Sequence, residues 1–152
     1  MTNITPFLWY NTNAEEAVDF YLSIFKDGKK INTGRWGEGA PMPAGSVLAI
    51  EFTINGQNLI AFNGGPHFKF NEAISLAIYC DTQEEIDYFW GRLPQGGGEV
   101  QCGWLKDKFG LSWQVVPRNI AELTKHPNAM KAMMGMKKLD IAKLKKAHRG
   151  DD

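Results

Sequence analysis

Residues Trp9–Tyr21 (WYNTNAEEAVDFY) determine how this chain is organised, because Ile78–Trp90 (IYCDTQEEIDYFW) matches them at a shift of 69 residues. Each stretch joins the end of an apolar strand to a helix with one apolar face. The repeat therefore predicts a duplicated strand–helix–strand module. Two similar modules in one chain predict a cleft between them, which is a common place for a ligand.

Composition bounds the class of protein. With 152 residues, 43% of them hydrophobic, the chain is long enough for one well-packed domain. Lys plus Arg and Asp plus Glu each number 17, so charge favours neither nucleic acid nor a membrane surface as a partner. A small-molecule ligand or another protein fits better.

The sequence also predicts the cellular location of the protein and the redox state of its cysteines. No apolar run is long enough for a bilayer span, and the N-terminal residues lack the pattern of a signal peptide, so we expect a cytoplasmic protein. Cys80 and Cys102 are the two cysteines and lie far apart in strand-like segments. We expect both to be reduced and packed.

The first module begins with a strand at Ile4–Asn11. Asn13 and Glu16 form a capping box that predicts the start of a helix, and Gly28 is expected to end it. The residues that should form its apolar stripe are Ala14, Ala17, Val18, Tyr21 and Phe25.

Three strands are predicted next, at Lys30–Trp36, Ser46–Ile54 and Gln57–Asn63. Asn55-Gly56 indicates a tight hairpin between the last two, because both central residues of a type I′ turn need positive φ. Gly37–Gly45 (GEGAPMPAG) is predicted to be a loop, either over a ligand or as a plain surface connection.

The second module repeats the pattern with a strand at Ala73–Cys80 and a capping box at Thr82 and Glu85. Strands follow at Glu99–Lys106 and Leu111–Pro117, joined by a turn that contains Asp107 and Gly110. The expected apolar helix face consists of Ile86, Phe89, Trp90 and Leu93.

The C-terminal part is predicted to be helical, with a third capping box at Asn119 and Glu122 and a last helix that starts at Asp140. Its lysine-rich end is typical of a solvated helix face. The methionines between positions 130 and 136 fit either core packing or an adaptable surface for a partner subunit.

Together these elements predict an α+β fold of two βαβββ-type modules that form a curved mixed sheet. The modules cover residues 1–66 and 73–118 and make one domain of residues 1–118. Residues 119–152 form a helical extension that packs on this domain or on a partner subunit.

Several stretches resemble the PhnB-like (demethylubiquinone methyltransferase-like) group of the vicinal oxygen chelate, or glyoxalase and bleomycin-resistance, superfamily. They are residues 6–10 (PFLWY), 13–17 (NAEEA), 63–68 (NGGPHF) and 107–114 (DKFGLSWQ). The resemblance implies the two-module fold and a ligand-binding cleft.

The resemblance also implies where metal-using members would hold an ion. The positions fall at or near Pro6, at Ser75, near Ala61 or Asn63, and at Gln114. Proline has no side-chain donor, serine is a poor ligand for a divalent transition metal, and a neutral amide seldom holds a metal without a carboxylate or imidazole. We therefore expect no metal and no other cofactor.

The loop Asn63–Phe70 (NGGPHFKF) is the most chemically varied segment. In a functional interpretation its glycines approach a ligand, His67 transfers a proton, and Phe68 and Phe70 form an apolar wall. In a structural interpretation the loop is a linker whose aromatic rings anchor it to the core. His67 is the candidate catalytic residue.

Strand alternation assigns further ligand-binding candidates, because successive side chains point to opposite faces. Ser75 and Tyr79 share one face, and the shift of 69 residues matches Tyr79 with Tyr10. Leu8 and Tyr10 are accordingly expected on the concave side. The resemblance favours Gln114 as a further lining residue.

The leading functional hypothesis is a protein that binds a small organic molecule in the inter-module cleft without a metal. The alternative is a metal-assisted or His67-based isomerase, lyase or transferase. A third hypothesis is a dimerisation module, and a homodimer is expected in any case. A methyltransferase that uses S-adenosylmethionine would ordinarily show a glycine loop after its first strand and a doubly wound sheet, which the sequence does not indicate.

Overall fold

The structure, a computed structural model, describes residues 2–150. The chain divides into two compact units, Met1–Lys69 and Phe70–Asp152, and each unit contains one four-stranded sheet with helices. The predicted α+β class with two modules is confirmed. Over residues 2–150, every helix is too short or too polar to cross a lipid bilayer.

The first unit has the predicted order of one strand, one helix and three strands. In its sheet β1 is an edge strand parallel to β4, whereas β3 pairs antiparallel with both β4 and β2. The elements are β1 (Phe7–Tyr10), α1 (Ala14–Ile24), β2 (Gly28–Arg35), β3 (Val47–Ile54) and β4 (Gln57–Asn63).

Helix α1 covers one face of this sheet with the predicted apolar stripe, whose five residues are all buried. The ring of Tyr21 stacks on Phe52 of β3 with centroids 6.3 Å apart. Its hydroxyl lies 2.9 Å from the hydroxyl of Tyr10 in β1. This layer of helix on sheet forms the core of the first unit.

The start of α1 differs from the prediction. The Asn13 side chain makes no capping hydrogen bond, since its backbone (φ −113°, ψ 26°) lies outside the extended region typical of a cap. Asn63 at the end of β4 takes this role: its Oδ1 accepts a hydrogen bond from the Ala14 amide at 2.8 Å. Its Nδ2 donates to the Val47 carbonyl at 3.1 Å. One amide therefore joins α1, β3 and β4.

The predicted hairpin turn is confirmed, with φ of 48° at Asn55 and 80° at Gly56. Residues 37–45 form a loop as expected. Gly28 is the first residue of β2 and not the end of the helix, which ends at Ile24.

The second unit also follows the predicted order, and its sheet has the strand order β5-β8-β7-β6 with β5 parallel to β8. Its sheet and first helix comprise β5 (Ser75–Cys80), α2 (Gln83–Arg92), β6 (Gly98–Glu99), β7 (Trp104–Lys106) and β8 (Ser112–Pro117). Three short helices follow, α3 (Ile120–Leu123), α4 (Pro127–Met134) and α5 (Ile141–His148).

The capping box before α2 is confirmed, since Thr82 Oγ1 accepts a hydrogen bond from the Glu85 amide at 3.2 Å. The Glu85 carboxylate reaches back to the Asp81 amide at 3.0 Å. The prediction of a third capping box, at Asn119 and Glu122 before α3, is wrong, because the Asn119 side chain makes no capping hydrogen bond. Asp140 caps α5 as predicted, through the Lys143 amide.

The strand predicted at residues 99–106 is divided into β6 and β7. Cys102 (φ 63°) and Gly103 (φ 82°) lie between them in the left-handed region, which a continuous strand does not permit. The turn after β7 agrees with the prediction: Gly110 has φ 89°, and its amide donates to the Asp107 carbonyl at 3.0 Å.

The C-terminal helices pack on the second unit around Val116, Leu123, Leu139 and Leu144. Gln83 of α2 holds them, because its amide nitrogen donates to the Leu139 carbonyl and its oxygen accepts from the Ile141 amide. Met133 and Met136 pack against this cluster, in agreement with the core interpretation, whereas Met130 and Met134 are exposed and a partner surface there stays a prediction. The homodimer stays a prediction.

The two copies of the repeat differ by one residue in the link between the strand and the helix, and the ungapped sequence comparison does not show this difference. In the helices the shift is 69, since Tyr21 and Trp90 are both buried against their sheets. In the strands it is 70, since Tyr10 and Cys80 are both the buried last residues. Three residues join β1 to α1, but only two join β5 to α2. Because strand side chains alternate, this difference exchanges the two faces of the aligned strands.

Replacement of Asn63 by Ala tests the observed cap. It leaves the buried Ala14 amide and Val47 carbonyl without this partner, so we expect the free energy of unfolding to fall by about 1–3 kcal/mol. Asn13→Ala is the matched control and should change it by less than about 0.5 kcal/mol. Urea titration followed by circular dichroism measures both. A larger effect at Asn13 than at Asn63 would contradict the structure.

Candidate functional site

The two faces of the first sheet differ in their exposure. On one face Leu8 and Tyr10 are 7% and 3% exposed, and the Tyr10 hydroxyl contacts Tyr21 of α1. The expectation that both residues line an open concave side is therefore wrong. The residue of β5 equivalent to Tyr10 is Cys80, and Tyr79 is equivalent to Trp9.

The opposite face, called here the open face, carries aromatic side chains from two adjacent strands and one loop. Phe62 of β4 lies at its centre, with ring centroids 5.3 Å from Phe7 and 4.9 Å from Trp9 of β1. Trp36, directly after β2, has its centroid 6.3 Å from Phe62. Phe7 is 58% exposed, so this aromatic surface is accessible at its edge.

The NGGPHF segment, residues 63–68, fastens the chain to the open face. The amides of Gly64 and Gly65 donate to the carbonyls of Tyr10 and Asn11 at 2.9 and 3.0 Å. The indole nitrogen of Trp9 donates to the Gly65 carbonyl at 2.9 Å. A Cβ at Gly64 would overlap the rings of Trp9 and Phe62. The glycines thus permit a close backbone approach to the protein's own aromatic residues.

The remaining candidates in this segment have varied environments. His67 is exposed in a turn after β4. Phe68 is 65% exposed, with its ring edge-on to Trp9 at a centroid distance of 4.8 Å. Phe70 is partly buried. Asn63 is buried, and its amide makes the structural bonds already described.

Three residues that complete the open face are not among the site residues predicted from the sequence. Glu51 alternates with the buried Ile50 and Phe52, so its carboxylate lies on the same side as Phe62. Gly34 and Ala49 are opposite each other in β2 and β3 and next to Phe62 in register. Because glycine has no side chain and alanine has only a methyl group, we expect the surface here to form a hollow beside the large rings. A charged residue within an apolar strand was the signal for Glu51.

Two polar atoms near the aromatic rings also lack protein partners. Among residues 2–150, the Trp36 indole nitrogen is buried and makes no hydrogen bond. The Glu51 side chain is partly buried and has no hydrogen bond or ion pair within the same range. Buried polar groups are normally satisfied, so the Trp36 nitrogen distinguishes the open face from ordinary surface, and Glu51 adds a carboxylate without an ion pair.

The sheet of the second unit presents a different open face. Ser75 and Gln114 lie on it and are joined, since Gln114 Nε2 donates to Ser75 Oγ at 3.0 Å. Tyr79 on the same face is 53% exposed. Lys106 forms an ion pair with Glu72 that holds the pKa of the glutamate below its ordinary value. Ser75 with Gln114 and Lys106 with Glu72 thus form two bonded pairs, whereas the buried hydroxyl of Ser112, opposite Ser75 in register, has no hydrogen-bond partner within residues 2–150.

The first unit also has a cavity of about 440 Å³ at the end of its sheet, beside the start of α1. Met42 and Pro43 of the loop at residues 37–45 line it, together with Asn63. Its other lining residues are polar, charged or small: Thr12, Glu15, Arg35, Ser46 and Val47. Arg35 is partly engaged there, since it donates to the Gly45 carbonyl at 3.1 Å.

Cys80 lacks the properties of a catalytic nucleophile. Its side chain is buried, and burial together with the nearby Glu85 and Asp81 carboxylates raises the pKa of the thiol to about 12. The thiolate is the reactive form of cysteine. Cys80 is therefore a packed residue, as the sequence predicts.

Comparisons with known proteins agree with this architecture. The chain is 35% identical to a PhnB protein from Bacillus cereus, described as a putative 3-demethylubiquinone-9 3-methyltransferase, with a TM-score of 0.68 over 76% of this chain and 99% of that one. A protein from Pseudomonas aeruginosa is 21% identical, with a TM-score of 0.65 over 77% and 98%. A fosfomycin resistance protein from Listeria monocytogenes is 17% identical, with a TM-score of 0.57 over 82% and 97%. No curated protein sequence matches the chain.

The fold is thus that of the glyoxalase and bleomycin-resistance class, the vicinal oxygen chelate superfamily. The model of the 3-demethylubiquinone-9 3-methyltransferase family matches residues 2–116. The chain belongs to this family, in the PhnB-like group.

The residues at the superfamily's metal positions do not suit a transition metal. In the second unit the positions are Ser75 and Gln114, whose polar atoms bind each other. The strand shift of 70 matches Ser75 with Thr5, and the pairing register matches Gln114 with Ile60. Two hydroxyls, one amide and an alkyl group provide no carboxylate, imidazole or thiolate. Residues 2–150 contain no cluster of three His, Cys, Asp or Glu side chains that could hold a metal.

Replacement of Gly64 by Ala tests the close packing of the loop. The added methyl group must displace the rings of Trp9 and Phe62, and overpacking of this kind costs about 1–3 kcal/mol. We expect a lower thermal midpoint and an altered tryptophan emission. Gly37→Ala is the control, because nothing lies within 4 Å of its Cβ position. Equal midpoints for the two variants would contradict the described contact.

Alkylation by iodoacetamide tests the state of Cys80. At pH 8.5 the folded protein should keep this thiol unmodified, because its pKa of about 12 and its burial leave little accessible thiolate. Cys102 is less buried and should be modified first. After unfolding in urea both sites should react alike. Peptide mass spectrometry measures each site, and rapid modification of Cys80 in the folded protein would refute the assignment.

Proposed function

We propose that this protein binds a small, largely apolar organic molecule on the open face of its first unit, without a resident metal. The observation that carries the proposal is a group of aromatic rings, the exposed Phe7 and the partly exposed Trp9, Trp36 and Phe62, beside the small residues Gly34 and Ala49. Aromatic surface in contact with water is unfavourable and gains free energy when a ligand covers it.

The arrangement of polar atoms supports a ligand more than bare surface. Binding sites for small molecules combine apolar walls with a few well-placed polar groups. The indole N–H of Trp36 and the carboxylate of Glu51 are such groups, one a donor and one an acceptor. The cavity at the end of the sheet is a weaker candidate, because water solvates its hydroxyls and charges well.

The donor chemistry supports binding without a metal. At the superfamily's positions Thr5, Ile60, Ser75 and Gln114 would give an ion little more than water does. The proposed binding therefore involves no metal.

The family description names methyl transfer to a demethylubiquinone. A planar quinone ring belongs to the class of molecules that aromatic side chains bind by stacking, which supports the choice of site. We do not assign the transfer step to this chain. β1 is followed by Asn11, Thr12 and Asn13, and each sheet has four strands of mixed direction, unlike a doubly wound nucleotide-binding sheet.

A screen of planar organic compounds tests the proposal. It should be carried out with protein purified in EDTA, using thermal shift and quenching of tryptophan emission. A ligand at 100 times its Kd adds about 2.7 kcal/mol of stability. Ligands should bind equally well with and without EDTA, and binding that requires an added divalent metal would refute the metal-free site.

Gly34→Leu locates the site. Space above Gly34 is open, with only the Ala49 carbonyl near its Cβ position, at 3.9 Å, so the leucine should fill the hollow without unfolding the sheet. We expect binding to weaken about tenfold or more, because an excluded ligand loses its contacts with the rings. Gly37→Leu in the exposed loop is the control. Unchanged affinity in Gly34→Leu would show that the ligand binds elsewhere.

A further inference from the structure

We infer that the ligand of the open face is an organic cation: an aromatic or apolar molecule with a protonated amine or quaternary ammonium group, which Glu51 binds. This inference rests on the proposed function and narrows its ligand class. It follows from the position of one carboxylate among aromatic rings.

Glu51 lies on the ligand side of the sheet. Its neighbours Ile50 and Phe52 are 1% and 0% exposed under α1, so alternation directs Glu51 to the open face. In register it is opposite Ile60, which places it diagonally next to Phe62, at roughly 7–8 Å between backbone positions. A ligand that covers the ring of Phe62 can therefore reach the carboxylate.

The charge of Glu51 is not neutralised within the protein. Asn32 of β2 lies opposite Glu51 in the sheet. Lys30, two residues before Asn32, forms an ion pair with Asp19 of α1 and not with Glu51. Lys29 lies opposite Thr53 on the open face and makes no ion pair with Glu51. The Glu51 carboxylate is therefore available to a cation, and a charge-assisted hydrogen bond to it is stronger than one between neutral groups.

The aromatic rings favour the same sign of charge. The faces of indole and benzene rings carry negative electrostatic potential and attract ammonium groups, with tryptophan the strongest. Phe62 is the ring diagonally next to Glu51, and Trp9 and Trp36 lie beside Phe62. Rings and carboxylate together favour a cation and disfavour a carboxylate or phosphate, which neither could bind.

Three probes of similar shape and different charge test this inference: 2-phenylethylamine, 2-phenylethanol and phenylacetate. Each is titrated into the full-length protein at pH 7 in EDTA, and tryptophan emission is recorded. We expect the amine to bind about tenfold more tightly than the alcohol, since a charge-assisted hydrogen bond adds about that much. Phenylacetate should bind most weakly.

Glu51→Gln removes the charge and keeps the shape. It should abolish the preference for the amine, so that the amine and 2-phenylethanol bind this variant with affinities within about twofold of each other. Glu38→Gln, in the exposed loop, is the matched control and should keep the preference. Thermal midpoints of both variants confirm that they are folded.

The outcomes separate the two proposals. If the alcohol or phenylacetate binds as tightly as the amine, or if Glu51→Gln keeps the preference, the cation inference is wrong and the binding site on the open face stands. If none of the three probes alters the emission, both the inference and the proposed function are wrong.

Discussion

The amide of Asn63 is the contact on which the first unit depends. It binds the first free amide of α1 and the first carbonyl of β3 from the last position of β4. Because α1 is held at this end of the sheet, it covers the face that carries Leu8 and Tyr10, and the opposite face is left to the aromatic rings and Glu51. A buried side-chain amide can make these bonds only in one orientation, so this contact fixes where α1 begins relative to β3 and β4.

The sequence predicts the elements of this fold better than it predicts the faces. Helical spacing gave the buried stripe of α1, and Asn55-Gly56 gave the hairpin, because both are local properties of the backbone. The face of β1 depends on a non-local fact, the number of residues that link each strand to its helix. An ungapped alignment fits the helices and misplaces the strands by one residue. That single position moved Tyr10 to the wrong side and concealed Trp9, its neighbour.

The candidate site was predictable to a similar extent. The aromatic and glycine-rich composition of residues 63–70 indicated an unusual segment, and the segment does lie beside the open face. What the sequence could not show is that its glycines approach Trp9 and Phe62, since such packing depends on tertiary contacts. Glu51 was visible as a charge in an apolar strand. Its assignment to the open face required the structure, which shows that the neighbouring Ile50 and Phe52 are buried on the other side of the sheet.

The open faces of the two sheets differ in their polar groups. In the second unit Ser75 binds Gln114 and Lys106 binds Glu72, and within residues 2–150 the buried hydroxyl of Ser112 is left without a partner. In the first unit, as described over residues 2–150, the Trp36 nitrogen is buried without a partner and the partly buried Glu51 makes no ion pair, both beside partly exposed aromatic rings. Free energy of binding comes from groups that are poorly satisfied before the ligand arrives. This distribution supports the proposal that a ligand binds to the open face of the first unit.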